Sequence, residues 1–136
     1  MSGALLGYLA GFFDGEGWVT IALSGGKYTL QIGAANIDTR PLLLMQERWG
    51  GSVLRQGKTK LCWSWRACSD QAYDALREML PYLIVKRGQA EIAMEYRLAV
   101  KRVVRTKLTE ADMSTRERYR RAVKAANVVN LAKEAK

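Results

Sequence analysis

The stretch Leu9-Ala10-Gly11-Phe12-Phe13-Asp14-Gly15-Glu16-Gly17 decides how the rest of the chain is read. Small residues lead into it at Gly3, Gly7, Ala10 and Gly11, spacings that share one face of a helix. A glycine inside a helix costs about 1 kcal/mol relative to alanine. A helix keeps such residues where another backbone must approach closely, so a second helix is expected along this face. The opposite face holds Leu5, Leu6, Leu9, Phe12 and Phe13 and suits a core. The helix is expected over about Ala4 to Phe13, with Asp14 and Glu16 projecting where it ends.

Two hairpins follow this helix. Residues 18–24 alternate, with Val19, Ile21 and Leu23 on one side and Trp18, Thr20, Ala22 and Ser24 on the other. Ser24-Gly25-Gly26-Lys27 reads as the turn. The return strand, Lys27 to about Ala35, turns Tyr28, Leu30, Ile32 and Ala34 inward and leaves Lys27, Thr29, Gln31 and Gly33 outside. A helix over Thr39–Trp49 has Pro41 in its first turn and ends at Gly50-Gly51. The second hairpin pairs Ser52–Gln56 with Lys60–Ala67 around Gly57-Lys58-Thr59. Leu61, Trp63 and Trp65 lie on one side, and Lys60, Cys62, Ser64 and Arg66 on the other. Helices are expected at Ser69–Leu80, with Ser69 as N-cap, and at Gly88–Val104. This order predicts an α+β fold: a four-stranded antiparallel sheet with helices on one side only.

The uncovered side of that sheet is informative. It carries Trp18, Thr20, Ala22, Ser24, Lys27, Thr29, Gln31, Lys60, Ser64 and Arg66, and no Asp or Glu. An ordinary solvated face mixes charges of both signs. Lys, Arg, Gln, Ser and Thr on a β-ribbon suit base edges in the DNA major groove. Arg55 and Lys58 of the second hairpin join this DNA-contacting set.

Charge points the same way. The 136 residues carry a formal +9, which favours an anionic partner. Residues 1–100 hold 11 basic and 9 acidic side chains, net +2; residues 101–136 hold 11 and 4, net +7. No apolar run reaches the roughly 18 residues of a membrane span, and the first residues lack a basic n-region, so a signal peptide is not expected. No membrane partner is expected. Two cysteines, Cys62 and Cys68, are too few for a disulfide framework or a metal cage, so an intracellular setting is expected. The absence of histidine excludes Cys/His zinc sites and Ser-His-Asp triads. A hydrolase built from this chain needs a metal-bound water, a lysine or a shifted carboxylate.

The stretch at residues 9–17, LAGFFDGEG, resembles the LAGLIDADG motif of the homing endonucleases. Aromatic residues replace its two central aliphatics, Gly15 replaces Ala, and Glu16 replaces the second Asp. The resemblance extends over about residues 3–104 and implies an αββαββα core whose saddle-shaped sheet lies in the major groove. It divides the chain into a core domain, 1–105, and a basic helical extension, 106–136. It implies a homodimer that cuts both strands of a long pseudo-palindromic duplex DNA site with Mg²⁺. In that reading Gly7, Ala10, Gly11 and Asp14 form the dimer seam. Glu16 and the Gly15 carbonyl bind metal, Asn36 positions water, and Lys86 and Arg40 offset transition-state charge. A plainer reading has Asn36 and Asp38 capping the second helix and Lys86 as a loop lysine.

In the extension, Ser114-Thr115-Arg116-Glu117 reads as a capping box, starting a helix that reaches about Leu131 with Arg116, Arg118, Arg120, Arg121 and Lys124 spread around it. These residues either hold phosphates or form a solvated basic face. Related alternatives are an intron maturase that binds RNA and a regulator that binds DNA without cutting. A basic protein-interaction adaptor is a third.

Overall fold

Segments of helical and of alternating periodicity succeed one another along the chain, and the computed structural model assembles them around one sheet. It describes residues 3–57, 61–101, 103 and 107–134. Helix α1 (Gly3–Glu16) runs straight into β1 (Gly17–Ser24), which turns at two positive-φ glycines, Gly25 and Gly26, into β2 (Lys27–Asn36). Helix α2 (Arg40–Trp49), β3 (Ser52–Gln56) and β4 (Cys62–Cys68) follow. Then come α3 (Ser69–Met79), a 3₁₀ turn at Leu80–Tyr82, α4 (Arg87–Lys101) and α5 (Glu110–Glu134). No described helix is long and apolar enough to cross a membrane.

The sheet order is β1-β2-β4-β3, and every neighbouring pair is antiparallel. Its register separates two faces. Val19, Ile21, Leu30, Ile32, Ala34, Trp65 and Ala67 are buried beneath the helices. Leu9 and Phe13 of α1, Leu42 and Met45 of α2, Leu76 and Met79 of α3, and Ala90, Ala93 and Tyr96 of α4 complete the core. Trp65 donates its indole N–H to the Gly50 carbonyl at 2.8 Å and packs against Trp49, ring centroids 6.0 Å apart. That contact ties the sheet to the end of α2.

Several boundaries differ from expectation. Helix α1 extends to Glu16, so Asp14 and Glu16 lie in its last turn and not beyond it. Ser69 does not cap α3. It takes a left-handed φ of 53°, and Cys68 stands at the N-cap without a side-chain bond. The strand containing Trp63 and Trp65 begins at Cys62, and Leu61 is exposed outside it. Helix α5 starts about one turn before Ser114. There Thr109 N–H donates to Asp112 Oδ2 at 2.9 Å and Asp112 N–H to Thr109 Oγ1 at 3.1 Å. This reciprocal box satisfies two donors that a helix start otherwise leaves unpaired. Ser114 therefore sits inside the helix.

Candidate nucleic-acid interface and catalytic corner

Pairing register fixes what the open face of the sheet displays. Rows crossing the strands include Thr20–Gln31–Cys68, Trp18–Gly33–Arg66–Ser52 and Ala35–Ser64–Leu54. Ala22, Ser24, Lys27 and Thr29 continue this face along the first hairpin. Among the described residues it contains no Asp or Glu. Gly33 has a packing reason to be glycine, since a Cβ there would lie 2.4 Å from the Trp18 ring and 2.5 Å from the Trp65 carbonyl. The Trp18 ring thus lies on the sheet and carries the Arg66 guanidinium 5.9 Å from its centroid. Such a stack is worth about 0.5–1 kcal/mol when exposed and limits where the Arg66 fork points.

Three residues assigned to DNA contact stand elsewhere or go undescribed, and a fourth is hidden. Arg55 pairs with Trp63, which pairs with Asn36, so its side chain belongs to the helix side of the sheet. Lys58 and Lys60 lie outside the described residues. Ser64 has the expected facing but only 1% exposure, and its hydroxyl has no hydrogen-bond partner. Leu54, exposed to 60%, Gln56, Cys62 and Cys68 belong to the open face and were not anticipated there as DNA contacts. The alternation of Leu54 with Val53 and Arg55 along β3 places it there.

At one end of the sheet the motif meets the loop before α4. Asp14 is 9% exposed. Its Oδ2 accepts the N–H of Ile84 at 3.1 Å and of Val85 at 3.0 Å, and its Oδ1 accepts the N–H of Lys86 at 2.9 Å. Lys86 Nζ returns a hydrogen bond to the Asp14 carbonyl at 2.7 Å. The carboxylate satisfies three donors of the segment leading into α4 and lies before the end of that helix where the dipole favours negative charge. The ammonium satisfies a carbonyl at the end of α1, where the dipole favours positive charge. Together they lock the end of α1 to the start of α4 and hold the Lys86 ammonium two residues from Glu16. Glu16 itself is exposed.

Asn36 stands at the same end, two residues beyond Ala34, the partner of Gly17. Its Oδ1 accepts the Asp38 N–H at 3.0 Å, and Asp38 Oδ1 accepts the Arg40 N–H at 3.0 Å. These two turns lead into α2, whose N-cap is Thr39 without a side-chain bond; Asp38 reaches the first helical N–H, and Asn36 does not reach the helix. Arg40 is also gripped through its side chain: Nε and Nη2 donate to the Asp38 carboxylate at 3.0 and 2.6 Å. Those hydrogen bonds hold the Asp38 carboxyl well below its usual range, at about 2, and raise Arg40.

The dimer-seam residues divide. A Cβ added at Gly3, Gly7, Gly11 or Gly15 would meet nothing within 4 Å, so one stripe of α1 is open. Ile84 and Val85, tied to Asp14 beside α1, are exposed to 85% and 40%. Ala10 does not belong to the stripe. It is fully buried with Leu9 and Phe13 and serves this chain's own core. Asp14 likewise spends its carboxylate within the chain.

For a metal, the described residues contain no cluster of three His, Cys, Asp or Glu side chains. The donor set is one exposed carboxylate, Glu16, at a helix end. Mg²⁺ commonly takes one or two carboxylates and completes its shell with water and phosphate oxygens, so this oxygen donor fits such an ion in the presence of a nucleic acid.

No family model and no curated protein matches the chain. Solved structures do. The homing endonuclease I-CvuI, in complex with a DNA target in the presence of Mg, matches at TM-score 0.57 and 17% identity, covering 90% of this chain and 94% of that one. The archaeal intron-encoded homing endonuclease I-Vdi141I, complexed with DNA, matches at TM-score 0.63 and 12% identity, covering 90% and 96%. The LAGLIDADG meganuclease I-CpaMI, bound to uncleaved DNA, matches at TM-score 0.58 and 15% identity, covering 86% of this chain and 49% of that one. At these identities the likeness is one of fold.

Proposed function

We propose that this chain, which has the LAGLIDADG endonuclease fold, is a homing endonuclease that hydrolyses both strands of a duplex DNA site as a homodimer. The observation that carries the reading is the corner where Glu16 ends α1 beside the anchored Lys86, at the margin of an acid-free sheet face. That combination suits a phosphodiester: a reading surface for bases and, next to it, an acid and a fixed ammonium for the backbone.

The dimer follows from stoichiometry and from the surface of α1. One chain offers one Glu16, and two strands require two centres. The open glycine stripe lets a second α1 approach closely, and a twofold axis then predicts a pseudo-palindromic site. This chain covers about half of I-CpaMI, consistent with two such units making a complete enzyme. Asp14 supports the seam indirectly by presenting Ile84 and Val85 beside it.

Each site residue has a chemical task. Glu16 supplies the anionic oxygen that holds a divalent ion, and the Gly15 carbonyl lies beside it. A divalent ion held there, Mg²⁺ in this reading, would lower the pKa of a bound water and stabilise the leaving oxygen. Asn36 has its carbonyl oxygen committed to Asp38, so its amide N–H groups are what it offers to a water or a phosphate oxygen. Lys86 places a positive charge near the pentavalent phosphorus, where fixed charge favours the transition state. Arg40, with Nε and Nη2 on Asp38, contributes through its remaining guanidinium N–H groups.

A randomised duplex library incubated with the protein and Mg²⁺ tests this directly. Double-strand cuts that vanish on chelation, and that Glu16→Gln abolishes while DNA binding persists, are expected. Wild-type cleavage by Glu16→Gln would refute the assignment. Binding without cutting would mark a regulator, and preference for folded intron RNA a maturase.

A further inference from the structure

We propose that α5 is a backbone clamp for the duplex, in which Lys124 grips a phosphate at the outer margin of the sheet. The inference rests on the DNA-binding reading above and adds a second contact surface to it. β1 is an edge strand, and an edge leaves backbone N–H and C=O groups without partners. Here α5 covers that edge. Asn127 Nδ2 donates to the Val19 carbonyl at 3.2 Å. Val123 is buried at 1% exposure, and the Tyr28 hydroxyl donates to Glu117 Oε2 at 3.2 Å. The helix is therefore held against the sheet at several points along its length.

Arg120, Lys124 and Asn127, at helical spacings of four and three, form one wall of a groove of about 500 Å³ whose other wall is Thr20, Ile21, Ala22 and Leu23. Thr20 and Ala22 belong to the open face, so the groove opens at the border of the base-reading surface. No acidic side chain lines it. Glu117, the single acid between residues 116 and 124, is bound by Arg120 Nε at 2.8 Å and approached by Arg121 at 3.6 Å. Lys124, exposed and with no ion pair among the described residues, retains its charge for a partner. A compact ammonium beside Thr20 and Asn127 suits a single phosphate. A row of such groups parallel to a reading surface suits the backbone of the same duplex, which it positions without reading sequence.

Anisotropy titrations of the intact chain with duplexes of several sequences, over a series of salt concentrations, test the clamp. Lys124→Ala should weaken binding by the same factor for every sequence. It should also reduce the slope of log affinity against log salt by about two, one phosphate contact for each chain of the proposed dimer. Arg77→Ala, which removes the same charge from an exposed site on α3, should leave the slope unchanged, and circular dichroism should show both variants folded. Equal effects from both variants, or none from Lys124→Ala, would overturn the clamp. So would a loss confined to a structured RNA competitor. If the wild-type chain binds no duplex, the functional reading fails and the clamp with it. Wild-type binding with an unaltered Lys124→Ala slope sinks the clamp alone.

Discussion

Asp14 offers the sharpest quantitative test, because its carboxylate has a structural task separable from cutting. It accepts three backbone N–H groups, at 2.9 to 3.1 Å, while 9% exposed. Hydrogen bonds to a charged acceptor are worth about 1.5–3 kcal/mol each. Ile84 and Val85 stand on an exposed segment, so water recovers part of what Asp14→Ala removes. Taking about 1 kcal/mol per bond, with up to 1 kcal/mol for charge at the start of α4, the loss comes to about 3–4 kcal/mol. Asp14→Asn keeps the shape but turns an NH₂ toward backbone donors, and should lose about 2 kcal/mol. Exposed Glu16→Gln should stay within about 0.5 kcal/mol of wild type. A chain of this length has a stability of about 7–20 kcal/mol, so all three variants should remain folded enough for equilibrium urea unfolding. Constant m-values with midpoints falling in the order Glu16→Gln, Asp14→Asn, Asp14→Ala are expected. Asp14→Ala within about 0.5 kcal/mol of wild type would refute the account of the α1–α4 lock.

Other substitutions probe other parts of the argument. Gly11→Leu points into open space on α1, so the fold should be kept while sedimentation shifts from dimer to monomer and cleavage is lost; a dimeric Gly11→Leu would place the seam elsewhere. Gly33→Ala forces a Cβ to 2.4 Å from the Trp18 ring and should cost about 1–3 kcal/mol in unfolding free energy, with weakened DNA binding as Arg66 loses its platform. The Arg120 hydrogen bond, with Tyr28 and Arg121 adding to it, lowers the Glu117 carboxyl to about 2. A depressed carboxyl pKa stabilises the fold above its unfolded value, near 4.5, and that contribution disappears as pH falls toward 2. An NMR titration should place the Glu117 midpoint near 2 and move it toward 4.5 in Arg120→Ala; an unmoved midpoint would contradict the pairing.

The alternation of residues 18–32 made the first hairpin and its two faces legible, because aliphatic residues at buried positions alternate with mostly polar ones at open positions. Ser52–Gln56 was harder. Its sequence SVLRQ lacks clean alternation, and counting Arg55 as a DNA contact by charge alone put it on the wrong side. Ala10 was misread for a geometric reason. At about 100° per residue Ala10 lies only about 20° from Gly3, so spacing alone groups it with the glycines, whereas its full burial gives it to the core. Asp14 shows the limit most clearly. Its acceptors serve donors 70 to 72 residues away, and no local pattern announces a bond of that range. The start of α5 was a competition between two capping boxes, and Thr109 with Asp112 prevailed over Ser114 with Glu117, whose carboxylate is drawn to Arg120 and Tyr28.

The junction between α1 and β1 has a consequence for how a cut is measured along DNA. Glu16 ends the helix, Gly17 begins the strand, and no loop separates them. A side chain at Gly17 would meet the Phe13 ring at 2.5 Å and the Phe13 carbonyl at 2.6 Å, so the turn admits almost nothing larger. Trp18, the first residue of the reading face, therefore stands at a fixed offset from the acid. In the proposed enzyme the span from scissile bond to nearest recognised base pair is a covalent ruler with one graduation. Exchanging side chains across the sheet should change which sequence is chosen while leaving the stagger of the cut untouched, whereas one residue inserted at Gly17 should move the cut itself.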